Sequence, residues 1–137
     1  MKQKKILVFG ASGAIGRNLI RKLAKNNFII TAVTRNLHQK GYILKTQANA
    51  GYINIVEASI FDEQKLKNLI SKNDICINLV GILFEKGKRN TFRNIHTFFP
   101  SLISKICNEN NIVHFILISA LGIDQANDSN YAISKLQ

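Results

Sequence analysis

The sequence predicts an α/β domain with about five parallel strands and helices on both faces of the sheet. Short apolar runs rich in β-branched residues alternate with amphipathic helical patterns, which is typical of βαβ units. The first apolar run leads directly into a glycine-rich segment and then a helical pattern, as in doubly wound sheets of the Rossmann type. With 137 residues, 46% of them hydrophobic, we expect residues 1–137 to form one domain with its own core.

Five strands and three helices are expected along the chain, and a further helix is expected to begin at Tyr131. The expected strands are residues 4–9, 28–33, 53–58, 75–80 and 113–119, and the expected helices are Ala14–Lys25, one that begins at Asp62 and Glu63, and residues 91–110. The acidic pair at 62 and 63 suits both N-capping and the helix dipole. Residues 36–51 show no clear period and are expected to form a loop with a short turn of helix.

Local features predict details of two helices. Apolar residues recur four positions apart in the first helix and predict an inward stripe of Ile15, Leu19 and Leu23, widened by Ala14, Ile20 and Ala24. Asn26 and Asn27 predict a left-handed stop to this helix. Pro100 should kink or split the third helix. The expected inward residues of that helix are Phe92, Ile95, Phe99, Leu102 and Ile106.

The chain is strongly basic, with a formal net charge of +11. Such a balance occurs in nucleic-acid-binding proteins and in proteins that rest on an acidic membrane or partner. The basic residues are scattered through a chain rich in Asn and Ile, so compositional drift is the favoured explanation of the charge. No acidic residue precedes Glu57, whereas ten Lys or Arg do.

Cysteines, histidines and the N-terminus indicate an intracellular protein without a metal site. Cys76 and Cys107 form no CxxC pair and lie in apolar segments, so buried free thiols are expected. His38, His96 and His114 show no metal-ligand spacing. The apolar run after the first lysines is shorter than the ~7–15 residues of a signal-peptide core, and no stretch reaches the ~18 apolar residues of a membrane span.

The glycine-rich segment, residues 10–16, reads GASGAIG. Glycines at this spacing permit a tight turn, let backbone N–H groups approach a pyrophosphate, and let the helix pack closely on the strand. An anion then sits at the helix N-terminus, where the N–H groups and the dipole favour it. The segment therefore predicts a dinucleotide site, with a glycine-rich turn that binds nothing as the alternative.

The end of the second strand predicts which dinucleotide is preferred. In NAD-binding domains an acidic residue here holds the ribose 2′-hydroxyl. This chain has no carboxylate nearby, and Arg35 can pair with a 2′-phosphate, joined by Arg17. NADP(H) is therefore favoured over NAD(H), and the alternative is that both arginines are solvated surface residues.

A Y-x-x-x-K pair follows the fifth strand. Tyr131 and Lys135 share one face of a helix, so the ammonium can lower the pKa of the phenol for acid–base work while also holding a ribose hydroxyl. Ser119, at the end of the fifth strand, can hydrogen-bond a substrate carbonyl. The pair alone also occurs by chance, and its position in the fold supports the catalytic interpretation.

Together, the glycine loop, residues 78–81 (NLVG), Ser119 and the Tyr131/Lys135 pair resemble the short-chain dehydrogenase/reductase superfamily, in its extended or atypical branch. Residues 78–85 (NLVGILFE) and 118–124 (ISALGID) are similar to the NAD(P)-binding accessory subunit family of respiratory complex I and its bacterial epimerase/dehydratase-like relatives. The resemblance covers essentially the whole chain.

The resemblance implies roles for individual residues. It assigns Arg35 to the 2′-phosphate position, and Val80 and Gly81 to the wall beside the adenosine ribose. Asn94 matches a helix asparagine that some members use in a proton relay, although an ordinary polar helix residue is the favoured interpretation. The residues that match the cofactor loop are Gly10, Ser12, Gly13, Ile15 and Gly16.

Two departures from the family pattern stand out. Ala58 and Ser59 occupy the place of a common Gly-Asp pair whose Asp contacts the adenine, which is expected to weaken nucleotide binding. Family members also continue past the Y-x-x-x-K helix into a sixth strand and a substrate region, whereas this sequence ends at Gln137. It therefore resembles a C-terminally truncated, N-terminal nucleotide-binding part: a fragment, a split gene or a decayed reading frame.

Three functions remain in competition. The favoured hypothesis is an NADP(H)-binding domain of the complex-I-accessory type, without turnover on its own, since complex-I-type members are commonly non-catalytic. The enzyme alternative is an active reductase or epimerase that uses Tyr131, Lys135 and Ser119. The interaction alternative is a structural subunit whose basic surface docks on a respiratory complex or an anionic membrane, cytoplasmic or peripheral on the inner membrane. Nucleic-acid binding is disfavoured.

Overall fold

A computed structural model describes residues 4–35, 41, 44–47, 51–59, 61–80, 91, 93–110, 112 and 114–117. The strands are β1 (Lys5–Phe9), β2 (Ile29–Thr34), β3 (Ile53–Glu57), β4 (Ile75–Asn78) and β5 (His114–Leu117). The helices are α1 (Ala14–Lys25), α2 (Glu63–Ser71) and α3 (Phe99–Glu109), and a π-helix, Arg93–Phe98, runs directly into α3. The five predicted strands are confirmed, with ends that differ by one or two residues.

The five strands form one parallel sheet in the order β3-β2-β1-β4-β5. The chain winds outward from β1 to β3 in one direction and from β4 to β5 in the other. The direction therefore reverses between β1 and β4, and ligands of such sheets bind beyond the carboxyl ends of the strands at this point. The predicted Rossmann-type fold is confirmed.

Both faces of the sheet are buried, which explains why the strands read as continuous apolar runs. Alternate residues of β1 enter different halves of the core: Leu7 and Phe9 pack with α2 and α3, whereas Ile6 and Val8 pack with α1. The ring of Phe9 meets Phe99 of α3 edge-on, with centroids 5.3 Å apart. The helices are therefore distributed over the two faces as a doubly wound sheet requires.

The bounds of α1 agree with the prediction, but one expected core residue does not. Asn27, just past the helix, has a φ of 68°, so the predicted left-handed stop is confirmed. Ile20 and Gly16 are buried, and they define the inward face. Ile15 is 62% exposed, so its expected place in the inward stripe was wrong. It lies about 100° around the helix from Gly16, and this rotation carries it to the outer surface.

The predicted start of α2 is confirmed, whereas the predicted third helix begins as a π-helix at Arg93 and becomes α-helical only at Phe99. Asp62 caps α2, because its Oδ1 accepts the backbone N–H of Lys65 at 3.2 Å. The predicted third helix is split at its proline: π-helical geometry ends at Phe98, and Pro100 lies in the first turn of α3. A proline has no N–H to continue the preceding hydrogen-bond pattern, which accounts for the change at this position.

Candidate functional site at the carboxyl edge of the sheet

The loop that leaves β1 is pressed against the chain that leaves β4. Gly10 has a φ of 76°, and a Cβ on it would lie 2.8 Å from the carbonyl carbon of Leu79 and from the nitrogen of Val80. The N–H of Leu79 in turn donates to the carbonyl of Phe9 at 2.9 Å. Only glycine satisfies both the backbone conformation and this close approach.

Gly16 and Gly13 have different structural reasons for lacking a side chain. A Cβ at Gly16 would lie 2.5 Å from the carbonyl oxygen of Ala11, so packing of α1 on the loop requires glycine there. A Cβ at Gly13 would meet only the carbonyl oxygen of Gly10, at an ordinary 3.7 Å. Internal packing therefore explains Gly10 and Gly16, whereas Gly13 is exposed at the start of the helix and has room for a side chain.

The N-terminus of α1 is not capped by any side chain. Gly13 is the N-cap residue, with extended backbone angles, and the first turn contains no acidic residue. The N–H groups of this turn and the positive end of the helix dipole therefore face the surface beside the glycine loop, an arrangement that suits an anion. Ser12 is half-buried in the loop, and the side chain of Ile15 is exposed on the first turn.

Asn78 holds the segment that follows β4. Its side chain is fully buried, and its Oδ1 accepts the backbone N–H of Val80 at 3.0 Å. Its Nδ2 is buried without a hydrogen-bond partner, and so is the Nε of Arg17 on α1; these are the only two such side-chain atoms in the described part of the chain. Both donors belong to elements that flank the glycine loop.

Arg35 is exposed immediately after β2, at the same edge of the sheet. The pairing of Phe9 with Val33 places the end of β2 level with the start of the glycine loop. The carbonyl of Thr34 accepts the N–H of Ala58 at 3.1 Å, so the sheet pairing ends here and Arg35 leaves the sheet. The strand that ends beside the glycine loop is therefore followed by a cation.

Ala58 and Ser59, which stand where the family commonly has a Gly-Asp pair, have structural roles. Ala58 is buried in the core between the sheet and the α2–α3 layer. The Oγ of Ser59 accepts the N–H of Phe61 at 3.1 Å, in the turn that leads to α2. These two residues therefore form the connection to α2, and no carboxylate stands at their place.

The predicted site residues divide into two groups. Gly10, Ser12, Gly13, Ile15, Gly16, Arg35 and Val80 come together at the carboxyl edge of the sheet. Gly81, Ser119, Tyr131 and Lys135 lie outside the described residues. Asn94 is a half-buried residue of the π-helix whose N–H donates to the Thr91 Oγ1 at 3.1 Å. Sequence reasoning assigned no separate role to Asn78, because its hydrogen bond to Val80 follows from the turn geometry.

Two kinds of feature are absent from the part of the chain that the structure describes. It contains no group of three or more His, Cys, Asp or Glu residues placed to hold a metal ion. None of its helices combines the length and the hydrophobicity needed to span a membrane.

Comparison with known proteins gives a family. The model of the NmrA-like family matches residues 2–126. The 40 kDa subunit of mitochondrial NADH-ubiquinone oxidoreductase from Neurospora crassa is 23% identical over 128 residues, which are 93% of this chain and 34% of that protein. Subunit 9 of the NADH dehydrogenase [ubiquinone] 1 alpha subcomplex from Arabidopsis thaliana is 26% identical, over 93% of this chain and 32% of that protein. The chain thus spans about one third of the length of these relatives.

Solved structures share the fold. A putative NAD-dependent epimerase/dehydratase from Bacillus halodurans superposes with a TM-score of 0.78 at 20% identity, covering 96% of this chain and 61% of that one. A short-chain dehydrogenase/reductase from Serratia marcescens superposes with a TM-score of 0.77 at 15% identity, covering 97% and 63%. The resemblance predicted from the motifs is confirmed. The chain belongs to the NmrA-like family and has the NAD(P)-binding type of Rossmann fold found in extended short-chain dehydrogenases/reductases, with sequence relatives among the accessory subunits of respiratory complex I.

Proposed function

We propose that this chain is an NADP(H)-binding domain of the complex-I-accessory type, and that it prefers NADP(H) to NAD(H). One observation carries the proposal: α1 begins uncapped at Gly13, and internal packing does not explain the missing side chain there. A pyrophosphate on these N–H groups would use both the exposed backbone at Gly13 and the helix dipole.

The residues around the loop fit a dinucleotide. Gly10, Ser12, Gly13 and Gly16 would present the backbone to the pyrophosphate, and the exposed Ile15 would supply an apolar contact. Val80, held by Asn78 against Gly10, would form the wall beside the adenosine ribose, with Gly81 following it. The cofactor would supply hydride chemistry; the loop binds and orients it.

The preference for NADP(H) rests on charge at the end of β2. Arg35 is exposed where NAD-binding domains carry a carboxylate, and Arg17 has a buried Nε without a partner in the described residues. An arginine forms charge-assisted hydrogen bonds with a phosphate, worth about 1.5–3 kcal/mol at a favourable site. We therefore expect roughly 10- to 150-fold tighter binding of NADPH than of NADH.

Titration calorimetry with NADPH and NADH tests this preference. Arg35→Asp should abolish it, because it removes the cation and repels the 2′-phosphate. Lys25→Asp makes the same change in net charge at the C-terminus of α1. This position is about 17 Å along the helix axis from the N-terminus of α1, where the pyrophosphate is proposed to bind, so the ratio of the two affinities should stay unchanged. Equal affinities in the unaltered chain would contradict the NADP(H) preference, and the absence of binding to either cofactor would contradict the binding function.

We further propose that the 137 residues, made alone, do not turn over a carbonyl substrate. The relatives are about three times as long, and we propose that a complete substrate site needs residues beyond the third that this chain matches. NADPH oxidation with a panel of aldehydes, ketones and quinones is the assay. Turnover that disappears in Tyr131→Phe would instead support the enzyme alternative, in which Tyr131 is the acid, Lys135 lowers its pKa and Ser119 holds the carbonyl.

Docking on a respiratory complex or an anionic membrane is a second candidate. The relatives named above are complex I subunits, and α1 exposes Arg21, Lys22 and Lys25 without an acidic residue on the helix. Co-sedimentation with vesicles that contain anionic lipid, lost at high salt, would support binding through charge. Equal recovery with neutral and anionic vesicles would contradict it.

A further inference from the structure

Two cysteines that are 31 positions apart in the sequence meet in the core. Cys76 lies on β4 and Cys107 in the last turns of α3, and their thiols hydrogen-bond to each other. Both side chains are buried, with 1% and 4% of their surface exposed, in the core between the sheet and the α2–α3 layer. The tertiary structure therefore brings together two thiols that come from different elements, β4 and α3.

Backbone hydrogen bonds fix the positions of both cysteines in the fold. Cys76 pairs with Leu7 on one side and with Phe115 on the other, so it lies inside the sheet. The carbonyl of Cys107 accepts the N–H groups of Asn110 at 3.3 Å and Ile112 at 3.1 Å, which tightens the end of α3 around it. A disulfide requires sulfur atoms about 2.05 Å apart, so the two hydrogen-bonded thiols must still approach each other to form one.

A groove at the surface determines from which side a reagent can approach the two thiols. It has a volume of about 460 Å³ and is lined by Ser104, Cys107, Asn108, Ile112 and Phe115. Cys107 borders this groove, whereas Cys76 does not line it and lies behind Cys107 in the core. A small reagent in the groove would therefore reach Cys107 first.

The hydrogen bond also distinguishes the two thiols. The S–H of Cys76 donates to the sulfur of Cys107; this bond lowers the pKa of Cys107, although burial opposes the shift. The same bond, together with burial, raises the pKa of Cys76. Because the thiolate is the nucleophile, Cys107 is the more reactive of the two.

We propose that Cys76 and Cys107 form a redox-modifiable dithiol site, which a small disulfide of the glutathione disulfide class converts into an intrachain disulfide. The Cys107 thiolate attacks one sulfur of the reagent, forms a mixed disulfide and releases the first small thiol. Cys76 then loses its proton and attacks the Cys107 sulfur, and the second small thiol leaves with that proton. The two cysteines are oxidised, and the reagent is reduced to two thiols.

The test uses the whole, fully reduced chain and oxidised glutathione. After acid quenching, remaining thiols are alkylated in denaturant and the intact mass is measured. The expected product is a monomer that is two hydrogen atoms lighter, carries neither alkyl nor glutathionyl groups, and returns to the dithiol with dithiothreitol. Two alkylated thiols, a retained glutathionyl group or a covalent dimer as the main product would each overturn the proposal.

Single variants test the order of reaction. Cys76→Ala should retain one glutathionyl group on Cys107, because the resolving thiol is gone. Cys107→Ala should be modified on Cys76 at a rate at least roughly tenfold lower than that of Cys76→Ala, because the Cys76 thiol is buried and poorly ionised. Equal rates for the two variants would overturn the assignment of Cys107 as the nucleophile.

An equilibrium measurement does not depend on how well the variants fold. The unaltered chain is equilibrated in a buffer of reduced and oxidised glutathione, with and without denaturant. The equilibrium constant for disulfide formation should be roughly tenfold or more larger in the native chain, since the fold holds the two thiols together. A native constant equal to or below the denatured one would contradict the proposal.

Discussion

Gly16 lies directly against the backbone of Ala11, so closely that a Cβ on Gly16 would come within 2.5 Å of the Ala11 carbonyl oxygen. The same Cβ would lie 2.7 Å from the carbonyl oxygen of Gly10. This contact seats the first turn of α1 on the loop that leaves β1. It therefore sets where the uncapped N-terminus of α1 stands relative to the end of the sheet.

Gly16→Ala should destabilise the fold. The added methyl group collides with backbone atoms, and such overpacking costs about 1–3 kcal/mol even after local adjustment. The better helix propensity of alanine recovers about 1 kcal/mol at most. The free energy of unfolding in urea should therefore fall by up to about 2 kcal/mol, and a higher value would contradict the close packing.

Gly13→Ser should weaken nucleotide binding without loss of stability. Gly13 has a φ of −73° and a ψ of 173°, which serine adopts freely, and its Cβ has ordinary space. Serine is a favoured N-cap residue, so its hydroxyl would accept one of the N–H groups proposed for the pyrophosphate. We expect an unchanged or higher melting temperature and roughly 10- to 100-fold weaker binding of NADPH by calorimetry. Undiminished affinity would place the cofactor elsewhere.

Asn78→Ala should destabilise the edge where the site is built. The change removes the buried acceptor of the Val80 N–H and leaves a small cavity. A lost buried hydrogen-bond partner costs about 1–3 kcal/mol. Asn54→Ala, at an exposed position of β3, is the matched control and should stay within about 0.5 kcal/mol of the unaltered chain. Equal urea midpoints for the two variants would contradict this role of Asn78.

The disulfide proposed between Cys76 and Cys107 should stabilise the native chain. It would close a loop of 31 positions, for which the loss of chain entropy in the unfolded state corresponds to up to about 4 kcal/mol. The urea midpoint of the oxidised chain should exceed that of the reduced chain. Cys107→Ala, treated identically, should show no such difference, and a lower midpoint after oxidation would mean that the bond strains the fold.

The reaction of Cys107 with iodoacetamide should remain fast at a lower pH than that of an ordinary cysteine. The hydrogen bond from Cys76 lowers the pKa of Cys107, so the reactive thiolate persists as pH falls below the usual range. The midpoint of the rate-against-pH curve, followed by peptide mass, should lie below that of a free cysteine peptide. In Cys76→Ala the midpoint should rise, because the donor is gone. A midpoint at or above the peptide value would contradict the effect of this bond.

Local patterns in the sequence were enough to locate most elements. The bounds of α1, the capping of α2 by Asp62 and the break before Pro100 depend on residues within one or two turns of each other. Burial of the parallel strands on both faces made their apolar runs visible. The glycine loop was equally recognisable, because its spacing reflects a single strand–turn–helix connection.

Contacts between distant segments were decided by the tertiary structure. Only the pairing of β1 with β4 shows that Gly10 must be a glycine because Leu79 and Val80 lie against it, whereas a Cβ at Gly13 would make only one ordinary contact. The helical period predicted that Ile15 lies in the core. Because Gly16 packs against Ala11, Ile15 lies on the outer surface instead. Cys76 and Cys107 each read as an isolated buried thiol, and they meet because α3 packs over β4. Periodicity and capping act over a few residues, whereas the partner of a buried group depends on the order of the strands and on the face that each helix covers.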